Sequence, residues 1–584
     1  MKSLRAFLSA LLKRRDFRYT RALEAKASVL TPSDWLVVGV LGTVMAFTVA
    51  SMLASISLSL ALEVPAHGGT YTEGLAESPR FINPLLAVSD TDRDLTTLVF
   101  SGLLRANPDG TLSPDIASAY TISDDKLTYT FTISDAARFH DGTRVTAEDV
   151  AYTVRTAENP DMKSPRRADW EGVTVTVIDP KTVSFTLKSP YAPFIENMTL
   201  GILPKHIWQD VTPEEFPFST INADPIGSGP YRVSSLKRNN SGIPIEYHLK
   251  AVSEGTRVPF IENFVFKIYA NDDELKAALT KGEVGAAHSI DTTSLVGAHT
   301  VNEAVFGRVF SVFFNQSQNK IFAETAVRQA LDAAVDKQAL VSTVLGGHGA
   351  VIDGPLPPDS VTKSQTDSRS TDDRLAGARA ILAKAGWKAG SDGILTKTVG
   401  SGKKKETLRL AFSLSTSNVP ELKRTAEMVA DDWRALGAEI ELKFFDQNDL
   451  NVGVIRPRKY DALIFGLVIG RELDLFAFWH SSQRNDPGLN IALYVNNATD
   501  KKLEGLRTEQ DQGNRLQKAR DIANDITKDA AAVFLYTPYF VYVTPQALSG
   551  MHLGTILTPS DRFNAADTWY LRTERVWPIF TKKH

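Results

Sequence analysis

The chain has 584 residues, 43% of them hydrophobic and 23% charged, which is ordinary globular composition and enough length for more than one core. Its formal charge is −3, and because residues 1–34 carry eight basic against three acidic side chains, the remainder stands at −8, arguing against a nucleic-acid partner. Cysteine is absent, so disulfides, thiolate metal sites and cysteine nucleophiles are excluded, and stability must come from core burial.

The leader, 1–34, sets Leu4, Phe7, Leu8, Leu11 and Leu12 among basic side chains at roughly helical spacing. It reads either as a segment lying along the inner membrane surface or as a solvated tail. Residues 35–62 then run for 28 positions without a charge. At about 1.5 Å per residue that is longer than the roughly 20 residues needed to cross a hydrocarbon core of about 30 Å. The basic excess ahead of it marks the cytoplasmic side. The expectation is a single-pass protein of the cell membrane whose long C-terminal part is extracytoplasmic. Ser59-Leu60-Ala61 loosely resembles a cleavage site, but the apolar run is about twice the core of a signal peptide, which favours an uncleaved signal-anchor.

Beyond the anchor, Gly68-Gly69 reads as a turn feeding a strand at 70–73, and Leu95, Leu98, Val99 and Leu103 mark one face of a helix over 89–104. Residues 127–133 alternate with period two, as a half-buried strand does. Asp141-Gly142 makes a turn, and Thr146 with Asp149 fits a capping box opening a helix. Pro225-Ile226-Gly227-Ser228-Gly229-Pro230-Tyr231-Arg232 describes a rigid turn, its glycines expected to take unusual backbone angles, followed by a strand. It lacks the Gly-x-Ser-x-Gly order of a nucleophile elbow.

A strand over 263–270 and a helix over 272–280 precede a strand at 308–315, and residues 325–345 read as one helix ended by Gly346-Gly347. The polar loop 359–371 shows no chemistry. A helix over 372–385, a hairpin around the lysine run 403–405, a helix over 420–436 closed by Gly437 and a strand over 438–445 imply an α/β region with a mixed sheet. The apolar strand at 462–467 opens into 468–504, and strands return at 531–536 and 540–543.

Four blocks in order carry a resemblance: GGTYTEGLAESPRFINPLL, ARFHDGTRVTAEDVAYTV, PIGSGPYR and FAETAVRQAL. Together they resemble the extracellular solute-binding protein family 5, which holds the oligopeptide, dipeptide and nickel receptors of ABC importers. The resemblance implies an α/β, two-lobed, periplasmic-binding-protein-like fold of the large three-subdomain type, here preceded by one transmembrane helix. It implies lobe I over 63–308 with an inserted subdomain at about 106–219, lobe II over 309–545, and a return to lobe I over 546–584.

It also implies ligand-binding candidates. Tyr71 and Glu73 lie in the first block. Phe314 and Asn315 end the strand expected to cross between lobes, where core and strand-end roles compete. Trp479 and Asn490 lie in a cleft-side segment, with core packing the alternative for Trp479, and Tyr536 occupies a position near the cleft. Peptide-binding members carry Trp-x-x-Asp after the strand at 462–467, the Asp pairing the peptide ammonium. Here Leu467 and Gly470 stand at those places. Free-amine peptides are therefore expected to bind poorly unless Glu73 or Glu472 substitutes. Arg471 either meets a ligand carboxylate or is solvated beside Glu472 and Asp474. His480 reads as a hydrogen-bonded loop histidine rather than a metal ligand.

The functional expectation is a monomeric, membrane-tethered receptor that delivers a small molecule or peptide to an ABC permease, with no cofactor, metal or catalytic residue. An exported hydrolase is the rival, against which stand the missing His-Glu-x-x-His and Gly-x-Ser-x-Gly motifs. A surface sensor or adhesion module on the same fold is the second rival.

Overall fold

The computed structural model describes residues 31–290, 292, 297–359, 370–402 and 405–578. Most of the leader (1–30), most of the loop at 359–371, and Lys403 and Lys404 lie outside the described residues. The chain divides into two units, residues 1–66 with 572–584, and residues 67–571.

In the first unit the apolar run forms the helix Pro32–Leu60, opened by Thr31, whose hydroxyl donates to the Asp34 carboxylate at 2.6 Å. Over residues 32–53 nothing is buried in protein, and Phe47 is 76% exposed. The hydroxyls of Thr43 and Thr48 donate to the carbonyls of Gly39 and Val44 at 2.8 Å, so these polar groups are satisfied within the helix, as a lipid environment requires. The strand Leu62–Pro65 pairs antiparallel with Thr573–Val576.

The second unit has two lobes. In the first, Thr70–Leu75 pairs parallel with Asn263–Ile268, which continues antiparallel through Pro244–Ala251 to Tyr231–Arg238. An inserted antiparallel sheet joins Ala117–Ile122, Thr128–Ile133, Thr182–Thr186 and Thr174–Asp179. The period-two reading holds there: Tyr129, Phe131 and Ile133 are buried while their neighbours are not. The capping box at Thr146 and Asp149 also forms.

Two expectations change here. The helix over 89–104 stops at Val99, because the Val99 carbonyl accepts the Gly229 N–H at 2.8 Å. The turn around Ser228 needs glycine for closeness rather than for backbone angle. Neither Gly227 nor Gly229 has positive φ, but a Cβ on Gly227 would lie 2.0 Å from the Val99 oxygen, and one on Gly229 2.5 Å from that of Leu98. His140 braces the turn, Nδ1 accepting the Gly227 N–H at 3.2 Å and Nε2 donating to the Gly229 carbonyl at 3.0 Å. Burial pulls its pKa down to about 4, so it stays neutral.

The second lobe is built on a mixed sheet in which Ala532–Pro545, Arg308–Phe314, Ala462–Val468, Ala411–Ser417 and Glu439–Phe445 lie side by side in that order. The helix Pro420–Leu436 ends at Gly437 in the left-handed region, φ 113°, and buries Val429, Trp433 and Leu436 against the sheet. The single helix expected over 325–345 is two, Thr325–Ala334 and Lys337–Val344. Val335 is extended, and Asp336 restarts the chain by accepting the Ala339 N–H at 2.9 Å while Arg374 donates to its other oxygen at 2.6 Å.

Two strands connect the lobes. His299–Val305 pairs with residues 539–545 and Arg308–Phe314 with residues 532–536, so 299–314 and Ala532–Pro545 run antiparallel from one lobe into the other. Residues 546–571 then return to the first lobe, placing Phe563 and Trp569 in its core.

Candidate functional site

Where these crossing strands pass between the lobes lies a cavity of about 850 Å³. Phe306, Arg308 and Phe310 reach it from one crossing strand, and Tyr536, Tyr539 and Phe540 from the other. Phe465 and Val468 come from the neighbouring strand, and Glu421 and Leu422 from the first turn of the helix Pro420–Leu436. The ring of Phe310 packs at a tilt of 31° on Tyr536, 5.3 Å between centroids, and lies over Gly466, where a Cβ would come within 2.7 Å of it. The Tyr536 hydroxyl is tied to Thr425 at 2.9 Å, and burial pushes its pKa up to about 12. The Arg308 guanidinium sits 4.0 Å above the Phe306 ring, and burial lowers its pKa, opposed by the charge of Asp90. An apolar aromatic chamber carrying a few polar groups, reached from both lobes, suits a ligand whose contacts favour lobe closure.

Residues 111–487 match the model of bacterial extracellular solute-binding proteins, family 5 Middle. This chain belongs to that family. The family 5 chain is 30% identical over 489 residues to protein XP55 of Streptomyces lividans, covering 82% of this chain and 85% of that one. The solved structure of the oligopeptide-binding protein AppA from Bacillus subtilis, in complex with a nonapeptide, superposes with a TM-score of 0.64 at 25% identity, covering 87% of this chain and all of that one. NikZ from Campylobacter jejuni in complex with Ni(L-His) has the same fold, with a TM-score of 0.63 at 24% identity over 86% of this chain and 99% of that one. Family 5 consists of solute receptors.

Of the family 5 candidates expected from sequence, Tyr536 is the one that lines this cavity. Glu73 is sealed in the first lobe, 0% exposed. It takes Arg562 at 2.7 Å and the Tyr542 hydroxyl at 2.6 Å, and Arg562 also holds Asp94 at 2.6 Å. Tyr71 completes this network by donating to the Tyr542 hydroxyl at 2.6 Å. Phe314 is at the far end of its strand from Arg308, packed on Phe322 at 4.6 Å. Asn315 staples a loop, its side chain donating to the Arg458 carbonyl at 2.8 Å and accepting the N–H groups of Ser317 and Gln318. Leu467 is buried in the second-lobe core. Trp479, 0% exposed, packs among Phe313, Tyr494 and Phe534. Asn490 donates to the carbonyls of His480 and Tyr494 at 3.1 and 3.0 Å. His480 is the hydrogen-bonded loop histidine expected, held by Ser482 at 2.8 Å and stacked on Phe476.

Gly470 and Arg471 lie in a loop that meets the first lobe away from the cavity. Arg471 is not solvated but half-buried, paired with Asp561 at 2.7 Å, and it borders a separate, smaller cavity of about 300 Å³ together with Asp561 and Asn564. A Cβ on Gly470 would stand 3.7 Å from a carboxylate oxygen of Glu196, so that place is already faced by a carboxylate from the inserted subdomain. Glu472, the other expected substitute for the missing Asp, pairs with Arg515 at 2.6 Å. Tyr191 and Arg507 complete the junction, the guanidinium 4.6 Å over the Tyr191 ring and 3.3 Å from Asp474.

Sequence reasoning missed Arg308, Phe310 and Glu421. It had placed the crossing strand beside the cleft but chose its buried end. Glu421 follows Pro420 at a helix start, where an acidic residue is explained by the helix dipole alone.

Proposed function

We propose that this receptor is held in the cell membrane by the uncleaved helix Pro32–Leu60, acts as a monomer on the extracytoplasmic side, and closes its lobes around a peptide or peptide-like solute for an ABC permease. The observation that carries this reading is the cavity of about 850 Å³ bounded by both crossing strands, which lets one ligand touch both lobes and bias a hinge toward closure. Its volume lies within the range of about 300–1,000 Å³ usual for small-ligand sites. The peptide class is supported by AppA, an oligopeptide-binding protein 27% identical to this chain over 498 residues. The proposed hinge separates lobe I, which begins at His67 rather than at the expected residue 63 and runs to 308 with its insertion at about 106–219, from lobe II, 309–545; 546–571 returns to lobe I, whereas from Arg572 the chain belongs to the unit of the N-terminal helix. The receptor needs no cofactor and releases its ligand chemically unchanged.

The test is native mass spectrometry of the full-length protein purified from membranes in mild detergent. One bound solute per chain is expected, and adding that solute should raise the melting temperature by mass action. Turnover of an added peptide that survives repurification would replace the receptor with a hydrolase. A solute that binds but is never passed to a reconstituted permease would favour a sensor.

A further inference from the structure

We infer that the chain makes a second membrane contact after its last strand: Trp577, with the Ile579 and Phe580 that follow it, sits in the outer headgroup layer of the bilayer that the helix Pro32–Leu60 crosses. The inference rests on the proposal that this helix spans the membrane uncleaved, and it lies wholly within the first unit of the chain.

Strand register sets the position. The strand Leu62–Pro65 leaves the helix with only Ala61 between them. Its partner Thr573–Val576 runs antiparallel, pairing Pro65 with Thr573 and Leu62 with Val576. At the far end the Ala66 N–H donates to the Arg572 carbonyl at 3.0 Å, and Arg575 holds Glu63 across the ribbon at 3.1 Å. One strand therefore climbs away from the helix while the other descends to it. Trp577 is the first residue beyond the pair Leu62–Val576, at the helix end of the ribbon. The unit 67–571 is thus joined to the helix through two paired strands rather than one free chain, and a foot at Trp577 ties down the second strand as the helix ties down the first.

Helix length sets the depth. The helix has 29 residues, about 43 Å at a rise of about 1.5 Å each. That matches the roughly 40–45 Å of a bilayer with its headgroup layers, not the roughly 30 Å of its hydrocarbon core alone. The apolar span proper is Pro32–Leu53, and residues 54–60 interleave Ser55, Ser57 and Ser59 with Ala54, Ile56, Leu58 and Leu60, a composition suited to the interface. The helix end, and with it the foot of the ribbon, falls in the outer headgroup layer. The side chains there fit it. Trp577 is 41% exposed, and an indole, with its apolar body and polar N–H, is enriched at this level of a membrane. Trp35, also exposed, opens the uncharged run about 38 Å from Leu60 along the helix axis, so the two indoles mark opposite membrane surfaces. In sequence Ile579 and Phe580 come next, then Lys582 and Lys583: apolar groups for the acyl boundary, followed by cations that remain among the headgroups.

The experiment exploits the absence of cysteine. Pro578→Cys, Thr573→Cys and Ala46→Cys are made singly in the full-length protein, spin-labelled, and reconstituted in phosphatidylcholine vesicles. Collision of each label with oxygen, which concentrates in lipid, is compared with collision with a nickel chelate confined to water. The oxygen-to-nickel ratio at position 578 should be severalfold above that at 573, the far end of the ribbon, and below that at 46, in mid-helix. Adding Trp577→Ser, Ile579→Ser and Phe580→Ser should return the ratio at 578 to the value at 573. A label at 578 as open to the nickel chelate as that at 573, with the label at 46 in lipid, overturns the membrane foot and leaves the anchor standing. A label at 46 in water overturns the anchor and the foot with it. A label at 578 shielded from both reagents would place the segment against protein instead of lipid and overturn the inference, as would a ratio that the triple substitution leaves unchanged.

Discussion

Glu196 of the inserted subdomain accepts the backbone N–H of Glu472, from the second lobe, at 2.8 Å, bringing two carboxylates from opposite lobes into one buried cluster. Burial raises the pKa of each. Arg515 opposes the shift at Glu472 and the neighbouring Glu196 adds to it, leaving the Glu472 pKa at about 7 against an ordinary 4.5. A carboxyl group with a raised folded-state pKa contributes stability below its unfolded value that is lost as pH rises through its folded value. The junction should therefore be firmest below about pH 4.5 and lose this contribution by about pH 7, a change on the order of 3 kcal/mol. Thermal denaturation at a series of pH values checks it: the wild type should lose stability across that window, and Glu472→Gln should flatten the loss. An unchanged slope in the variant would assign the effect to another group.

Restoring the family's acidic residue at Gly470 should harm the protein. With Glu196 only 3.7 Å from the position of the new Cβ, Gly470→Asp sets like charges together in a partly dry junction, for an expected loss of about 1–3 kcal/mol. Adding Glu196→Gln should recover most of it. Chemical denaturation of the single and double variants measures the coupling, and additive effects would show that the two positions do not meet.

Arg562 is fully buried between Glu73 and Asp94, at 2.7 and 2.6 Å. Arg562→Met would strand two carboxylates in the core and should cost about 3–5 kcal/mol, seen as a lower denaturant midpoint. Glu73→Gln should also destabilise but leave ligand affinity unchanged in whatever protein folds. A selective loss of affinity in that variant would return Glu73 to the ligand site.

Gly466 lets the Phe310 ring come close against the neighbouring strand. In Gly466→Ala the new Cβ would start 2.7 Å from the ring edge, and the ring must swing toward the cavity. We expect a modest stability loss of about 1–3 kcal/mol together with weaker solute binding by calorimetry. Full affinity in this variant would mean that the Phe310 face is not a contact.

The anchor is testable in intact cells. Protease added outside should digest the part beyond residue 62 while an N-terminal tag remains protected. A dominant mature species beginning near Leu62 would show that the helix is removed.

Local features were legible because they depend on neighbours in the chain. The 28 uncharged residues of the anchor, the alternation at 128–133 and the Thr146–Asp149 cap each follow from residues a few positions apart. Ordered motifs spaced along the chain carried the family and its two-lobed fold, because the same turns and core contacts recur wherever that fold is built. What the sequence left open was how each polar side chain is used. Glu73 and Arg562 are 489 residues apart, so nothing near Glu73 marks it as the partner of a buried guanidinium rather than a ligand residue. Arg471 and Asp561 meet only because the return segment brings Asp561 back to the lobe junction. The crossing strand 308–314 was read as lying beside the cleft, yet which of its ends faces the cavity depends on where Ala532–Pro545 changes lobes alongside it. Charge pairing and cavity lining are through-space properties, fixed when the two crossing strands align and the lobes meet. Helix, strand and cap preferences act within a few residues, so the sequence alone determines those and not the pairing.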